Sequence, residues 1–266
     1  FESSLTHEEK EARIKGRFLH LSGLVYKEFN PDMHIVEQFP IKKDWTTYFA
    51  IDPHERTPTA CMWFAVDPQG NYWIYDELWL GDMDLAGVAL AVHAQEGENP
   101  ARIRIIDPHN DKDNALAGGF NVRKELMRHG IFCQRGNIDI TLGMSRIKHA
   151  LKPEYNQLSK TMQPKLRIMA NCVQTIYEFQ HYLWDEYKHN KEQYEQKNTV
   201  KKKDDHFMDC LRYILNHEPR YIVDSDEDED SLEYVGTYTK YPSKQPEKGS
   251  YKSLTENMNP RKGGQF

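Results

Sequence analysis

Two apolar runs in this chain end in the same four residues, Ile-Asp-Pro-His. Tyr48-Phe49-Ala50-Ile51 leads into Asp52, and Ile103-Arg104-Ile105-Ile106 leads into Asp107. Asp-Pro by itself is ordinary turn chemistry. A third copy, within Val66-Asp67-Pro68-Gln69-Gly70-Asn71, reads as a turn and nothing more. Two strand-like runs that each deliver a carboxylate to their end also fit a metal site. Carboxylates brought close together repel unless a cation lies between them. Hard oxygen donors favour Mg²⁺ or Mn²⁺ over zinc. A further acid comes from Asp204-Asp205-His206-Phe207-Met208-Asp209-Cys210-Leu211-Arg212-Tyr213. There Phe207, Leu211, Ile214 and Leu215 form an apolar stripe at helical spacing. Asp205 and Asp209 stand at i and i+4, and His206 and Asp209 at i and i+3, so the three share one side of the first turns. Asp205 is also a natural helix cap, and capping and ligation both stay open for it. Asp209 lies inside the helix, where capping is not available. An inward carboxylate there needs a partner, and a metal is the most economical one.

The chain has 266 residues, enough for one sizeable domain with extensions or two small ones. Its 38% hydrophobic content supports a core while leaving much of the chain solvated. It begins with Phe1 rather than Met, which suggests a fragment or a processed product. No apolar run approaches the ~20 residues of a membrane span, and no signal-peptide pattern is visible. Cys61, Cys133, Cys172 and Cys210 are far apart and form no CxxC pair, so buried free thiols are expected rather than a disulfide framework or structural zinc. The net charge of −6 is concentrated at Asp224–Asp230, which holds six acids. Without them the acids equal the 35 Lys+Arg, so a local basic groove on the body is compatible with the composition.

The elements that must position these residues follow from the pattern along the chain. Residues 1–45 read as a lead-in, with a capped helix start at Thr6 and Glu9. Strand signals at 46–52, 59–66 and 71–80, separated by Thr57-Pro58 and Asp67-Pro68-Gln69-Gly70, predict a three-strand antiparallel meander. Asp84 opens a helix with Leu85, Val88, Ala89 and Val92 on one face. A strand is expected at 102–107, a helix around 112–129 ended by Gly130, and a fifth strand at Ile131-Phe132-Cys133. Helices are expected at 141–152, 171–181 and about 205–217. Between the last two, residues 182–203 read as an extended arm or hairpin. Beyond Pro219 the acidic run and the Gly/Pro/Ser/Lys-rich end read as a disordered tail. The order β-β-β-α-β-α-β-α predicts an α/β domain at 46–218 with a mixed five-stranded sheet and helices on both faces.

That order, with carboxylates ending the first and fourth strands, resembles a ribonuclease-H-like fold. The segment Asp205–Tyr213, read with Asp204, is similar to the Asp-His-x-x-Asp-Ala-Leu-Arg-Tyr signature of phage terminase large subunits. Cys210 stands where Ala is usual. Ile51-Asp52-Pro53 and Ile106-Asp107-Pro108 match the other two acidic motifs of that family's nuclease domain, and the resemblance covers roughly 46–217. Glu11–Gly16 and Leu21–Tyr26 resemble the segment that links the packaging ATPase to the nuclease. No GxxxxGK[ST] loop occurs, so an isolated C-terminal nuclease domain without ATPase machinery is expected.

The resemblance implies a metal-dependent endonuclease that cuts double-stranded viral DNA concatemers during packaging, in the host cytoplasm. It would use two Mg²⁺ or Mn²⁺ ions, with portal and small terminase subunit as partners in the motor and no membrane. Asp52 would bridge the ions, with Asp107 on one and Asp209 on the other. His206 would coordinate, or orient Asp209 or a water. Asp205 is an alternative ligand. His54 and His109 read as loop residues or as groups behind a ligand. Glu77 reads as a further acid of the site or, more commonly, a solvent-facing strand acid. DNA contacts should be to phosphates, with Lys201, Lys202, Lys203, Arg146, Lys148 and Lys152 as candidates. The 182–203 arm could gate access, and the tail could dock to the portal. The competing readings are an inactive DNA- or portal-binding module of the same fold and a resolvase- or transposase-like nuclease. A zinc hydrolase comes last, for want of a His-rich ligand set.

Overall fold

A computed structural model of the chain describes residues 23–54, 57–113, 120–157, 159–186, 196–200 and 205–223. The expected helix start at Thr6, Lys201–Asp204 and the tail from Asp224 lie outside the described residues.

The predicted meander is present almost as read. Strands β2 (Thr46–Asp52), β3 (Thr59–Val66) and β4 (Tyr72–Leu80) follow the short α1 (Pro31–His34) and β1 (Ile35–Val36), and pair antiparallel in sequence. Helix α2 (Leu85–Glu96) starts at Asp84, whose Oδ1 accepts from the Gly87 amide at 2.8 Å. Strand β5 (Ile103–Ile106) then runs parallel to β2, with Tyr48 opposite Ile103 and Ile51 opposite Ile106. The helix expected at 112–129 is shorter. A 3₁₀ turn covers Pro108–Asp111 and helix α3 covers Val122–Arg128, capped by Asn121. Residues 114–119 lie outside the described residues.

Among the described residues the sheet has seven strands rather than five, in the order β1, β9 (Leu166–Met169), β4, β3, β2, β5, β6 (Gln134–Arg135). The strand expected at 131–133 is β6 (Gln134–Arg135) instead. Ile131 and Cys133 are buried among α2, α3 and the sheet, so the apolar signal there marks core rather than strand. The additional edge is built by β1 and β9 (Leu166–Met169), both parallel to their neighbours. Between β6 and β9 lie α4 (Ile140–Leu151) and the hairpin β7 (Pro153–Asn156)–β8 (Thr161–Pro164). After β9 come α5 (Val173–His181) and an antiparallel pair, β10 (Trp184–Glu186) and β11 (Gln196–Val200), in the expected arm. Helix α6 (His206–Asn216) follows.

Alternation along the central strands sorts the core into two layers. Tyr48, Ala50 and Ile105 face α4, α5 and α6, whereas Phe49, Ile51 and Ile106 face α2 and α3. Val25 and Tyr26, expected as lead-in, are buried in the first layer. The chain at 220–222 is tied to the start of β2, where the Tyr48 hydroxyl donates to the Arg220 carbonyl at 3.0 Å and the Ile222 amide donates to Thr46 Oγ1 at 2.7 Å. All four cysteines are buried free thiols.

One ion pair is sealed into the second layer. Arg104 on β5 pairs with Glu96 at the end of α2, and both are buried. Glu96 Oε1 also accepts from Trp63 Nε1 at 3.2 Å and from the Ala101 amide at 3.1 Å. Removing one partner of such a pair strands the other charge without water. Glu96→Ala is expected to cost about 3–5 kcal/mol in denaturant unfolding. A loss below about 1 kcal/mol would mean that Arg104 finds solvent once the carboxylate is gone.

Candidate functional site

The parallel register of β2 and β5 decides where the first two acids go. Asp52 is the last residue of β2, and Asp107 follows the last residue of β5, one step beyond the Ile51–Ile106 pair. Both lie two residues beyond side chains of the α6 layer, Ala50 and Ile105, so alternation turns both carboxylates towards α6. Asp52 is 3% exposed. Its Oδ2 accepts from His54 Nε2 at 2.8 Å and from His206 Nδ1 at 3.0 Å, and the two imidazoles meet edge to face at 4.3 Å. Asp107 caps the 3₁₀ turn, and its Oδ1 accepts from the amide and from Nδ1 of His109, both at 2.9 Å.

Helix α6 delivers the remaining acids, and its start is held from outside. Asp205 occupies the cap position with φ −126° and ψ 8°, away from the extended conformation of most caps, and its side chain makes no cap bond. Glu178 of α5 does that work. Its Oε2 accepts from the Phe207 amide at 2.8 Å and the Met208 amide at 3.1 Å. Helix α5 is itself held the same way. Glu77 of β4 accepts from the amides of Gln174 at 2.6 Å and Thr175 at 2.9 Å and from Thr175 Oγ1 at 2.7 Å. Glu77 is therefore neither a cleft acid nor a solvent-facing one. Strand β4 also lies beside β3 and β9 rather than beside β2.

Asp209 accepts from Arg212 Nη1 at 2.5 Å, one turn along α6. The Arg212 side chain is buried and crosses α4 where that helix has Gly143. A Cβ at this position would collide with Arg212 Cγ.

Asp52, Asp107, Asp205 and Asp209 line one cleft of about 590 Å³, together with His54, His109, His206 and Arg212. Burial tends to raise the Asp52 carboxyl, but hydrogen bonds from His206 and His54 outweigh it and hold the group below its ordinary value. The hydrogen bond to Asp52 raises His54 in turn. Burial raises Asp205, and it pushes Asp209 up to about 6 against the opposing Arg212. Burial also pushes Glu178 up to about 8, despite the two amides that favour its charged form.

The three carboxylates singled out from sequence, Asp52, Asp107 and Asp209, thus open into the same cleft, with Asp205 and His206 beside them. The ligand atoms that gather most tightly, within 4.8 Å of one another, belong to Asp52, His54 and His206. His54, in the loop after β2, thus sits directly behind the Asp52 carboxylate. One carboxylate and two imidazoles, with three more aspartates lining the cleft, make a donor set able to hold a divalent metal ion. Arg146 is turned elsewhere. It donates to the Leu215 carbonyl at 3.0 Å and pairs with Glu218. Lys148 Nζ sits 5.2 Å over the Trp184 ring. Glu178, Arg212 and Gly143 were not foreseen. Glu178 had a legible signal, since it interrupts a stripe Thr175-Glu178-Phe179-Tyr182 at helical spacing.

No family model matches the chain, and no curated protein matches it. Solved structures do. The large terminase nuclease domain of P22 superposes with a TM-score of 0.56 at 14% identity, covering 74% of this chain and 93% of that one. The large terminase of a thermophilic bacteriophage superposes with a TM-score of 0.55 at 19% identity, covering 80% of this chain and 53% of that one. The chain therefore spans about half the length of that second protein. At these identities the likeness establishes the fold: a ribonuclease-H-like mixed α/β domain of the kind found in phage terminase nucleases.

The Gly143–Arg212 contact gives a direct test of how Asp209 is held. Gly143→Ala should lower stability by about 1–3 kcal/mol in thermal unfolding, the usual range for overpacking. In an Arg212→Ala background the same change should be neutral or gain up to about 1 kcal/mol from helix propensity. Equal losses in both backgrounds would show that Arg212 is not what the methyl group meets.

Proposed function

We propose that this chain is a phage large-terminase nuclease domain, a divalent-metal-dependent endonuclease that cuts double-stranded DNA during genome packaging. The observation that carries this reading is the convergence of Asp52, Asp107 and Asp209 from two parallel strands and one helix into a single cleft, on a fold shared with terminase nucleases. Asp52, Asp107 and Asp209 would hold the metal, with Asp205 and His206 as further donors. Mg²⁺ or Mn²⁺ supplies Lewis acidity towards a phosphodiester and activates water for attack on it.

The chain's own residues set the conditions for that chemistry. Asp52 is kept ionised by two imidazole donors. Asp209 must be deprotonated before it can ligate, and Arg212 holds its carboxylate in place meanwhile. His54 holds a proton at Nε2 against Asp52 Oδ2 at the wall of the cleft. Lys201, Lys202 and Lys203 immediately precede α6 in the chain and are proposed to meet DNA phosphates, as is Lys148. Arg146 would join them only by leaving the Leu215 carbonyl and Glu218. The nuclease would work beside a packaging ATPase, a portal and a small terminase subunit in the infected cell. Among the described residues no helix is long and apolar enough to cross a membrane.

Conversion of supercoiled plasmid to nicked and linear DNA tests the activity. Cutting is expected with Mn²⁺ or Mg²⁺ and not with EDTA. Asp52→Asn, Asp107→Asn and Asp209→Asn should each reduce it by at least the roughly hundredfold that loss of an outer partner of a metal ligand can cost. Cutting that survives Asp52→Asn would sink the assignment.

The raised Asp209 carboxyl adds a pH dependence. Above a pKa of about 6 the group is a carboxylate and can ligate, and below it the proton competes with the metal. Mn²⁺ affinity measured by calorimetry should therefore fall as pH drops through about 6, and Asp209→Asn should flatten that fall. An unchanged profile in the variant would remove Asp209 from the ligand set.

A further inference from the structure

An aspartate at a helix cap ordinarily folds back and accepts from the second or third amide of the helix. For α6 those amides belong to Phe207 and Met208, and both are taken by Glu178 Oε2 at 2.8 and 3.1 Å. Glu178 is fully buried and cannot be a solvent-facing acid that meets the helix by chance. Its own helix is pinned to the sheet by Glu77 through Gln174 and Thr175, so the carboxylate is presented from a fixed base. Asp205, displaced from its usual partners, makes no cap bond and instead lines the cleft with Asp52 and Asp209.

We propose that Glu178 is a positioning residue of this site: by occupying the first amides of α6 it keeps the Asp205 carboxylate out of the helix cap and free to face a divalent cation. This inference rests on the nuclease reading. Without Glu178, the two amides become available to Asp205. Its side chain then turns to the helix, and the cleft loses a donor without any change to a residue that lines it.

The test is Mn²⁺ binding by titration calorimetry on the full chain, with thermal unfolding measured alongside. Glu178→Ala and Asp205→Asn are each expected to weaken Mn²⁺ about tenfold or more. The double variant should be no weaker than Asp205→Asn alone, because both changes remove the same ligand. Glu178→Gln keeps an acceptor for both amides and should bind Mn²⁺ as the wild type does. Glu178→Asp, too short to reach them, should reproduce the loss and serves if the alanine variant does not fold. A Glu178→Ala or Glu178→Asp protein that melts lower but keeps wild-type Mn²⁺ affinity would overturn the proposal. So would fully additive losses in the double variant, or an Asp205→Asn protein with unchanged affinity. A wild type that binds no Mn²⁺ would instead overturn the nuclease reading itself, and this inference with it.

Discussion

Like charges gathered in one cleft repel, and the architecture around this site stands against that repulsion. Four aspartates share the cleft, and the compensation given to each differs. Asp52 receives two imidazole donors and stays below its ordinary pKa. Asp209 receives one guanidinium and is still raised by burial. Asp205 receives no cap bond and is raised as well. A site graded in this way carries one firmly ionised carboxylate and two acids whose charged forms burial makes costly. The cost of assembling them is met in the fold, through the packing that holds the supporting strands and helix still.

That stillness comes from a sequence of supports rather than from any single contact. Strands β2 and β5 lie inside the sheet, between β3 and the short edge strand β6, covered on both faces by apolar layers. Their ends cannot drift without disturbing both layers, because close-packed interiors deform in steps rather than continuously. Helix α6 is anchored at its start by Glu178 and along its length by Phe207, Leu211 and Ile214 against the sheet. The support for α5 leads back through Glu77 to β4, and so to the same sheet. The acids on strands and the acids on the helix therefore share one rigid reference.

Much of this was legible in the chain, and the rest was hidden for physical reasons. The meander is bounded by turn residues, α2 opens on its Asp84 cap, α6 carries an apolar stripe at helical spacing, and Asp52 and Asp107 stand where apolar runs stop. Local pattern suffices for such features. Strands β1 and β9 have two and four residues, too short for a period to show. Ile131 and Cys133 were read as strand because burial in a core and burial in a sheet leave the same short apolar signal. The two caps in trans join residues 98 and 29 positions apart, and no local spacing announces such a bond. Gly143 and Arg212 form a matched pair of the same hidden kind. His54 is near Asp52 in the chain, yet its approach depends on how the backbone turns after Pro53, which composition alone does not determine.

The alternation of β2 and β5 has a consequence for how such a domain can diverge. Ala50 and Asp52 share a face only because one residue separates them, and the same holds for Ile105 and Asp107. Deleting or inserting one residue in either run would send its carboxylate to the α2–α3 side, away from the other acids of the cleft. Exchanging one apolar side chain for another of similar bulk would leave it where it is. Heredity is thus constrained in the count of residues far more tightly than in their names. A sequence changed under that rule loses its letters while its backbone stays superposable, and this chain superposes on two structures with which it shares fewer than one residue in five.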